Sequence, residues 1–273
     1  LCQLLKKHPL ESLDISENMF FHQGLNCLAD TLKENKYLKC LSLHSNQFPL
    51  NSQSIPRYHS ALLPHWQRIN ITEPEPVEQI TDDITLAGDA IMSCFEFNDT
   101  LEVLDIGFNE LYFSEISRNS WNGLKKNQKL KSLLLQGNFI GNESNFNLFM
   151  YLPESLECLN ISRCTYDERE ELVNGLTLAA GNLNNIKTLD LSELDLGYIN
   201  SFPILVRAIS SLPFLKSIDL SRNKFNSSHG NSIGTMVAQH QSLIFLRIIG
   251  NSFQRNVLSV VLPICESKAN RNI

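Results

Sequence analysis

The sequence has no apolar stretch long enough to cross a membrane: no run of about 18 or more apolar residues occurs in its 273 positions. Positive charge is in the minority, since 23 Lys and Arg against 29 Asp and Glu give a formal net charge of −6. Nonspecific nucleic-acid binding depends on clustered lysine and arginine, so this balance argues against it. The sequence predicts no membrane span and no nucleic-acid partner.

Motifs of common active sites are missing as well. There is no HExxH, GxSxG, P-loop or GxGxxG arrangement, and none of the seven histidines forms a metal-ligand pair. Only His44 has polar strand residues as expected neighbours, Ser42 and Asn70, and a solvated surface histidine is the simpler interpretation. The sequence predicts a protein that is not an enzyme and has no cofactor and no metal site.

The cysteines do not indicate a disulfide framework. There are seven, an odd number, with no CxxC pair and no cysteine–histidine cluster at zinc spacing. Cys27, Cys94 and Cys265 lie in helix-like stretches, where a small apolar residue packs well. We expect reduced cysteines in a cytoplasmic protein.

One pattern recurs along the chain: two leucine-class residues three apart, a third two further on, and usually asparagine three positions later. The copies begin at Leu10, Leu38, Leu101, Leu130, Leu156, Ile186, Leu215 and Leu243, with gaps of 28, 63, 29, 26, 30, 29 and 28 residues. This is the LxxLxLxxN/C pattern of leucine-rich repeats. Apolar residues at every second position predict a short strand in each copy.

The residues between strands predict helices and thereby the architecture. Leu25, Leu28, Ala29 and Leu32 have the spacing of one helical face. A single unit buries too little apolar surface to fold alone, so units must stack on their neighbours. The sequence predicts an α/β leucine-rich-repeat solenoid, a horseshoe with a parallel sheet on its concave side and helices on its convex side.

The gap of 63 residues predicts a hidden repeat. Trp66-Ile69-Ile71 has the correct spacing, although Pro74 replaces the closing asparagine. We interpret residues 66–100 as a degenerate repeat with an insertion, giving about nine repeats. The acidic, proline-containing segment 73–83 is either a ligand-contacting loop or a solvated one.

The whole chain, residues 1–273, is predicted to be a single array. Residues 1–9 have the character of the end of a preceding repeat's helix, and polar capping units are not evident. We therefore expect a fragment of a longer protein, of unknown oligomeric state.

The closing asparagines are predicted to be structural, because an amide at that turn can bond to backbone groups that would otherwise be buried unpaired. Strand alternation turns the variable residues onto the concave surface instead. There Asp14, Asp105, Asp190 and Asp219, with Asn160 in the same column, form an acidic stripe. The stripe predicts a basic partner, or it is the ordinary composition of such repeats; both interpretations stay open.

Two further groups interrupt the small, polar concave surface. Val103, Phe108 and Leu134 predict an apolar contact patch on adjacent repeats. Phe245, Arg247 and Ile249 combine aromatic, cationic and apolar groups, which is typical of binding hot spots. The alternative for this last group is packing beneath a missing cap.

The segments that join helix to strand are more informative about the class of repeat. The motif Leu-Lys-x-Asn-x-x-Leu occurs at residues 32–38 and again at residues 124–130. It resembles the ribonuclease-inhibitor-like class of leucine-rich repeats, and within it CARMIL-type and tropomodulin-type proteins and Ran GTPase-activating proteins. The resemblance implies a non-enzymatic interaction module of a larger regulatory or scaffold protein, cytoskeletal or signalling, which binds another protein on its concave face or loop edge.

Two alternatives remain. A GTPase-activating protein resembling the Ran activators would use residues at one edge of the horseshoe, where Arg68 and Arg163 are the suitable arginines. The Asn- and Lys-rich composition would also fit a microbial effector that binds a host protein.

Overall fold

A computed structural model describes residues 1–18, 22–46, 87–140, 148–166 and 169–253 of the protein. Within these ranges, eight strands form a single parallel sheet whose spatial order is the chain order. They are β1 (Ser12–Asp14), β2 (Cys40–Ser42), β3 (Val103–Asp105), β4 (Ser132–Leu134), β5 (Cys158–Asn160), β6 (Thr188–Asp190), β7 (Ser217–Asp219) and β8 (Phe245–Arg247). Because each strand pairs with the next one in sequence, the chain is a solenoid of repeats that contact their neighbours.

The strands pair in exact repeat register. The central leucine of one strand faces that of the next, as Leu13 faces Leu41 and Leu41 faces Leu104. In β2 to β5 and in β7 this central residue is buried, while the residues on either side of it are partly exposed. The alternation predicted from the sequence is confirmed. Below, the face of the sheet that carries these flanking residues is called the concave face.

Helices connect the strands on the other side of the sheet. The described α-helices are α1 (Cys2–Lys7), α2 (His22–Glu34), α3 (Ala87–Ser93), α4 (Arg118–Lys126), α5 (Arg169–Ala179), α6 (Phe202–Ser210) and α7 (Ser227–Gln239). Shorter 3₁₀ helices span Cys94–Glu96, Phe113–Glu115, Leu148–Tyr151 and Leu196–Tyr198. The predicted apolar helical face is confirmed in α2, where Leu25, Leu28 and Leu32 are fully buried.

One apolar core runs through all the described repeats, and two rows of asparagine side chains border it. At the closing position, the Asn138 amide donates to the carbonyls of Ile106 and Leu135. At the helix-to-strand joins, Asn127 donates to the Asn98 carbonyl and accepts from the backbone N–H of Leu130. The structural role predicted for the closing asparagines is confirmed.

The sheet has no position for a ninth strand between β2 and β3. The β2 edge is occupied by β3, since Val103 N–H donates to the Lys39 carbonyl at 2.9 Å and Leu43 N–H donates to the Asp105 carbonyl at 2.8 Å. The described residues therefore hold eight strands where about nine repeats were predicted. The degenerate repeat proposed around Trp66–Ile71 and the acidic segment 73–83 lie outside the described residues.

Candidate functional site

The acidic stripe on the concave face has a structural function. Asp105 Oδ1 accepts a hydrogen bond from the backbone N–H two residues later, at 2.9 Å. The same contact occurs in four other repeats, at 2.8–2.9 Å, for Asp14, Asn160, Asp190 and Asp219. Asn160 makes this contact without a charge, so the contact needs a side-chain oxygen and not a carboxylate. This observation favours the compositional explanation of the stripe.

The residue just before the closing position has a left-handed backbone in every described repeat. Its φ lies between 54° and 72° in Glu17, Ser45, Phe108, Gly137, Arg163, Glu193, Arg222 and Gly250. Only two of these eight are glycine, although the left-handed region costs other residues about 1 kcal/mol or more. This column runs along the carboxyl end of the sheet, and Phe108 is its only aromatic residue.

The Phe108 ring lies between two cationic or ionisable side chains. Its centroid is 5.1 Å from the His44 ring in an edge-on arrangement. The Arg163 Cζ lies 6.0 Å from the same centroid. The next residue in the column, Gly137, makes this possible, because a Cβ atom there would lie 2.4 Å from the Phe108 ring. The missing side chain at Gly137 therefore lets Phe108 reach across one repeat.

A second glycine admits a polar group beside the ring. A Cβ atom at Gly107 would lie 2.5 Å from Nε2 of Gln136. The Gln136 Nε2 atom is 3.3 Å from His44 Nδ1 and 3.4 Å from Asp105 Oδ1. His44 Nδ1 and Asp105 Oδ1 are themselves 3.5 Å apart, so the three side chains form one polar group. Gln136 is 8% exposed, and its Oε1 has no hydrogen-bond partner among the described residues.

We call His44, Asp105, Phe108, Gln136 and Arg163 the edge cluster. Arg163 extends it along the column, because its guanidinium binds Glu193 at 2.9 Å. The cluster combines an aromatic ring, a guanidinium, an imidazole and a buried amide acceptor at the carboxyl edge of the sheet. Chemically it can bind an apolar group flanked by hydrogen-bond donors.

The structure brings the predicted residues together only in part. Val103 and Asp105 flank the buried Leu104 on β3, and Leu134 is the register partner of Asp105. Val103 and Leu134 are partly buried on the concave face, whereas Phe108 makes its described contacts with His44, Gly137 and Arg163. Phe108 therefore belongs to the edge cluster, and an apolar patch that it shares with Val103 and Leu134 stays a prediction.

The group on β8 is partly assembled. The Arg247 guanidinium carbon lies 5.6 Å from the Phe245 ring centroid, and its Nη1 is 3.5 Å from Asp219 Oδ2. Phe245 is 49% and Ile249 is 68% exposed. β8 is the last described strand, and residues 254–273 lie outside the described residues, so the alternative of packing beneath a further unit stays open. Arg68 also lies outside them.

The sequence did not identify His44 or Gln136 as binding residues. Arg163 was named only for the GTPase-activating alternative. The described neighbours of His44 are Asp105 and Gln136, because β2 pairs directly with β3. Its expected neighbour Asn70 lies outside the described residues. The sequence feature that could have indicated these residues is the pair of glycines, Gly107 and Gly137. They leave space for the side chains of Gln136 and Phe108, respectively.

The part of the chain that the structure describes contains no cluster of three or more His, Cys, Asp or Glu side chains suited to a metal ion. None of its helices has both the length and the apolar composition needed to cross a bilayer.

The strand order, the register and the asparagine rows define the class of this protein: it is an α/β leucine-rich-repeat solenoid. No family model and no curated protein matches the sequence. Among solved structures, 118 chains match. A chain in the crystal structure of the mouse RP105/MD-1 complex has a TM-score of 0.48 and 16% identity, covering 93% of this chain. The present chain spans 36% of the length of that one.

A second similar structure is the leucine-rich-repeat-containing protein LegL7 from Legionella pneumophila. It has a TM-score of 0.38 and 14% identity, and the alignment covers 98% of this chain and 94% of LegL7.

Proposed function

We propose that the chain is a non-enzymatic protein-interaction module and that the edge cluster is the centre of its binding surface. The observation that carries this proposal is the position of Phe108. Phe108 is the only aromatic residue among the left-handed positions of the described repeats, and its ring spans one repeat beside Gly137. The ring lies beside Arg163, and aromatic and arginine side chains are the most frequent hot spots of protein interfaces.

The chemistry of the site defines the partner segment that it fits. Phe108 offers an apolar surface, and the Oε1 of Gln136 offers a buried acceptor that lacks a described partner. Asp105 adds a carboxylate to the edge cluster. A protein segment with an apolar side chain next to an amide or basic donor would complement all three features.

The wider context is proposed on the resemblance seen in the sequence. A ribonuclease-inhibitor-like repeat suggests a cytoplasmic regulatory or scaffold protein, in a cytoskeletal or signalling setting. The Ran-activator and microbial-effector alternatives remain predictions, and no specific contact among the described residues favours either of them.

Site-specific photo-crosslinking tests the proposal. A benzophenone analogue of phenylalanine is introduced at Phe108 and, as the matched control, at Phe97, which is 57% exposed and lies outside the edge cluster. In extracts of the native source cell, the Phe108 position is expected to yield a discrete adduct and the Phe97 position is not.

Competition then establishes specificity. Excess unlabelled protein should suppress the Phe108 adduct, whereas an Arg163→Glu competitor should not, because it reverses the charge beside the ring. Equal adducts from both positions, or equal competition by both proteins, would show that the edge cluster is not the binding surface.

A further inference from the structure

Two cysteine side chains meet where α1 packs against α2. The Sγ atoms of Cys2 and Cys27 are 2.8 Å apart, although 25 residues separate them in sequence. A disulfide bond is about 2.05 Å long, so the two sulfurs are within a small displacement of bonding distance. Cys27 is exposed and Cys2 is partly exposed, so small oxidants can reach both.

Contacts that do not involve sulfur hold the two helices in this arrangement. Leu5 of α1 is 1% exposed and belongs to the apolar core. The Asn35 amide, just after α2, donates to the Leu5 carbonyl at 3.0 Å. Lys6 and Glu34 form an ion pair at 3.3 Å. The packing of α1 therefore sets the approach of the sulfurs.

The other described cysteines differ from Cys2 and Cys27 in their burial or in their separation. Cys94 and Cys164 are buried, and burial raises the pKa of each thiol to about 12, so these groups are inert. Cys40 and Cys158 occupy one column of the concave face, but β2 and β5 are three strands apart, about 14 Å at ordinary strand spacing. Cys40 and Cys158 therefore cannot bond without rearrangement of the fold.

We propose that Cys2 and Cys27 form a reversible disulfide that fastens α1 to α2, with a low-molecular-weight disulfide such as oxidised glutathione as the oxidant. One thiolate attacks the small disulfide, forming a mixed disulfide and releasing one glutathione thiolate. The second cysteine thiolate then attacks the protein sulfur of that mixed disulfide and releases the other. The two protein thiols lose two protons and two electrons in total, and the small disulfide is reduced to two thiols.

The rate should depend on pH. Contact with Cys2 raises the pKa of the Cys27 thiol, and partial desolvation adds to the effect. The Cys27 thiolate is therefore scarce at neutral pH. Its attack on the small disulfide accelerates as pH rises through the alkaline range.

Peptide mapping tests the pair directly. The reduced chain is incubated with oxidised glutathione, and free thiols are then blocked by alkylation. The expected product is monomeric, has two fewer alkylated cysteines, and yields one peptide pair joining Cys2 to Cys27. Cys2→Ser and Cys27→Ser should each abolish that peptide pair, and the matched control Cys40→Ser should retain it.

Hydrogen exchange supplies a readout that does not rely on a variant folding. The amides of α1 should exchange several-fold more slowly in the oxidised wild-type chain than in the reduced one, because the bond tethers α1 to α2 and restricts its opening. Separate stable glutathione adducts on Cys2 and Cys27, or dimers linked through either residue, would overturn the proposal. Unchanged α1 exchange in a chain with the bond formed would refute the fastening of α1.

Discussion

The side-chain oxygen of Asn138 accepts a hydrogen bond from the backbone N–H of Asn109 at 3.1 Å, joining two consecutive repeats where the chain leaves the sheet. Asn109 does the same for Asn46 at 2.6 Å. All three side chains are essentially fully buried. The amides therefore replace water for backbone groups that stacking would otherwise leave unpaired.

Replacing Asn138 with alanine is expected to destabilise the protein by about 1–3 kcal/mol, because buried backbone groups lose their partners. Chemical denaturation measures the loss. Asn184→Ala is the control, since Asn184 is exposed and makes one local bond, to the Gly181 carbonyl. Equal stabilities of the two variants would contradict the structural role of the asparagine row.

Replacing Gly137 with alanine should cost about 1–2 kcal/mol and displace the Phe108 ring. The cost has two sources: φ is +68°, and the new Cβ would lie 2.4 Å from the ring. Measuring the free energy of unfolding of Gly137→Ala, Phe108→Ala and the double variant separates the backbone cost from the steric cost. The steric part should disappear without the ring, and the backbone part should remain, so the two effects should not be additive.

Aspartate 190 offers a test of the acidic stripe. Its Oδ1 accepts from the Ser192 N–H at 2.9 Å, which an asparagine can reproduce and an alanine cannot. Asp190→Asn should leave the melting temperature nearly unchanged, and Asp190→Ala should cost about 1 kcal/mol. If a partner uses the charge, Asp190→Asn will also weaken binding. Equal destabilisation by both variants would show that the charge itself stabilises the fold.

The exposed pair of Glu102 and Lys131 predicts a pH effect. The Lys131 ammonium lies 2.6 Å from Glu102 and lowers the pKa of that carboxyl below its ordinary value of 4.5. Because the folded-state pKa is depressed, the stabilisation is present above pH 4.5 and is lost as pH falls through the folded-state value. Both groups are solvated, so the effect on stability is small.

Titration of the Glu102 carboxyl by NMR measures this directly. Lys131→Met should raise the Glu102 pKa toward its ordinary value. Lys187→Met is the matched control, because Lys187 pairs with Glu157 at 2.7 Å and should leave Glu102 unchanged. An unaltered Glu102 titration in Lys131→Met would show that the ion pair does not cause the lowered pKa of Glu102.

Much of the fold was predictable because its information is local and periodic. Leucine at Leu38, Leu41 and Leu43 specifies one strand and its buried face, and the eightfold recurrence of that spacing specifies stacking. The number of strands was harder, because Trp66-Ile69-Ile71 has the spacing of the other repeats. Spacing alone does not show which strands share hydrogen bonds, whereas the structure shows that β2 pairs directly with β3.

The candidate site was predictable only in fragments. Asp105 and Phe108 could be identified because they interrupt a small, polar surface. Their partners His44, Gln136 and Arg163 come from three other repeats, up to 64 residues away along the chain, the separation of His44 and Phe108. A sequence pattern places residues in columns, but it does not state how far a side chain extends across its neighbours.

The repeat unit, the burial of its leucines and the bonding role of its asparagines follow from the amino-acid pattern alone, because each depends on contacts that recur with the period. Which irregular residues meet depends on the folded arrangement. Phe108 reaches Arg163 because Gly137 leaves space between them, and Cys2 reaches Cys27 because α1 packs on α2. Those contacts depend on side-chain volume and helix packing in three dimensions, which the period does not encode.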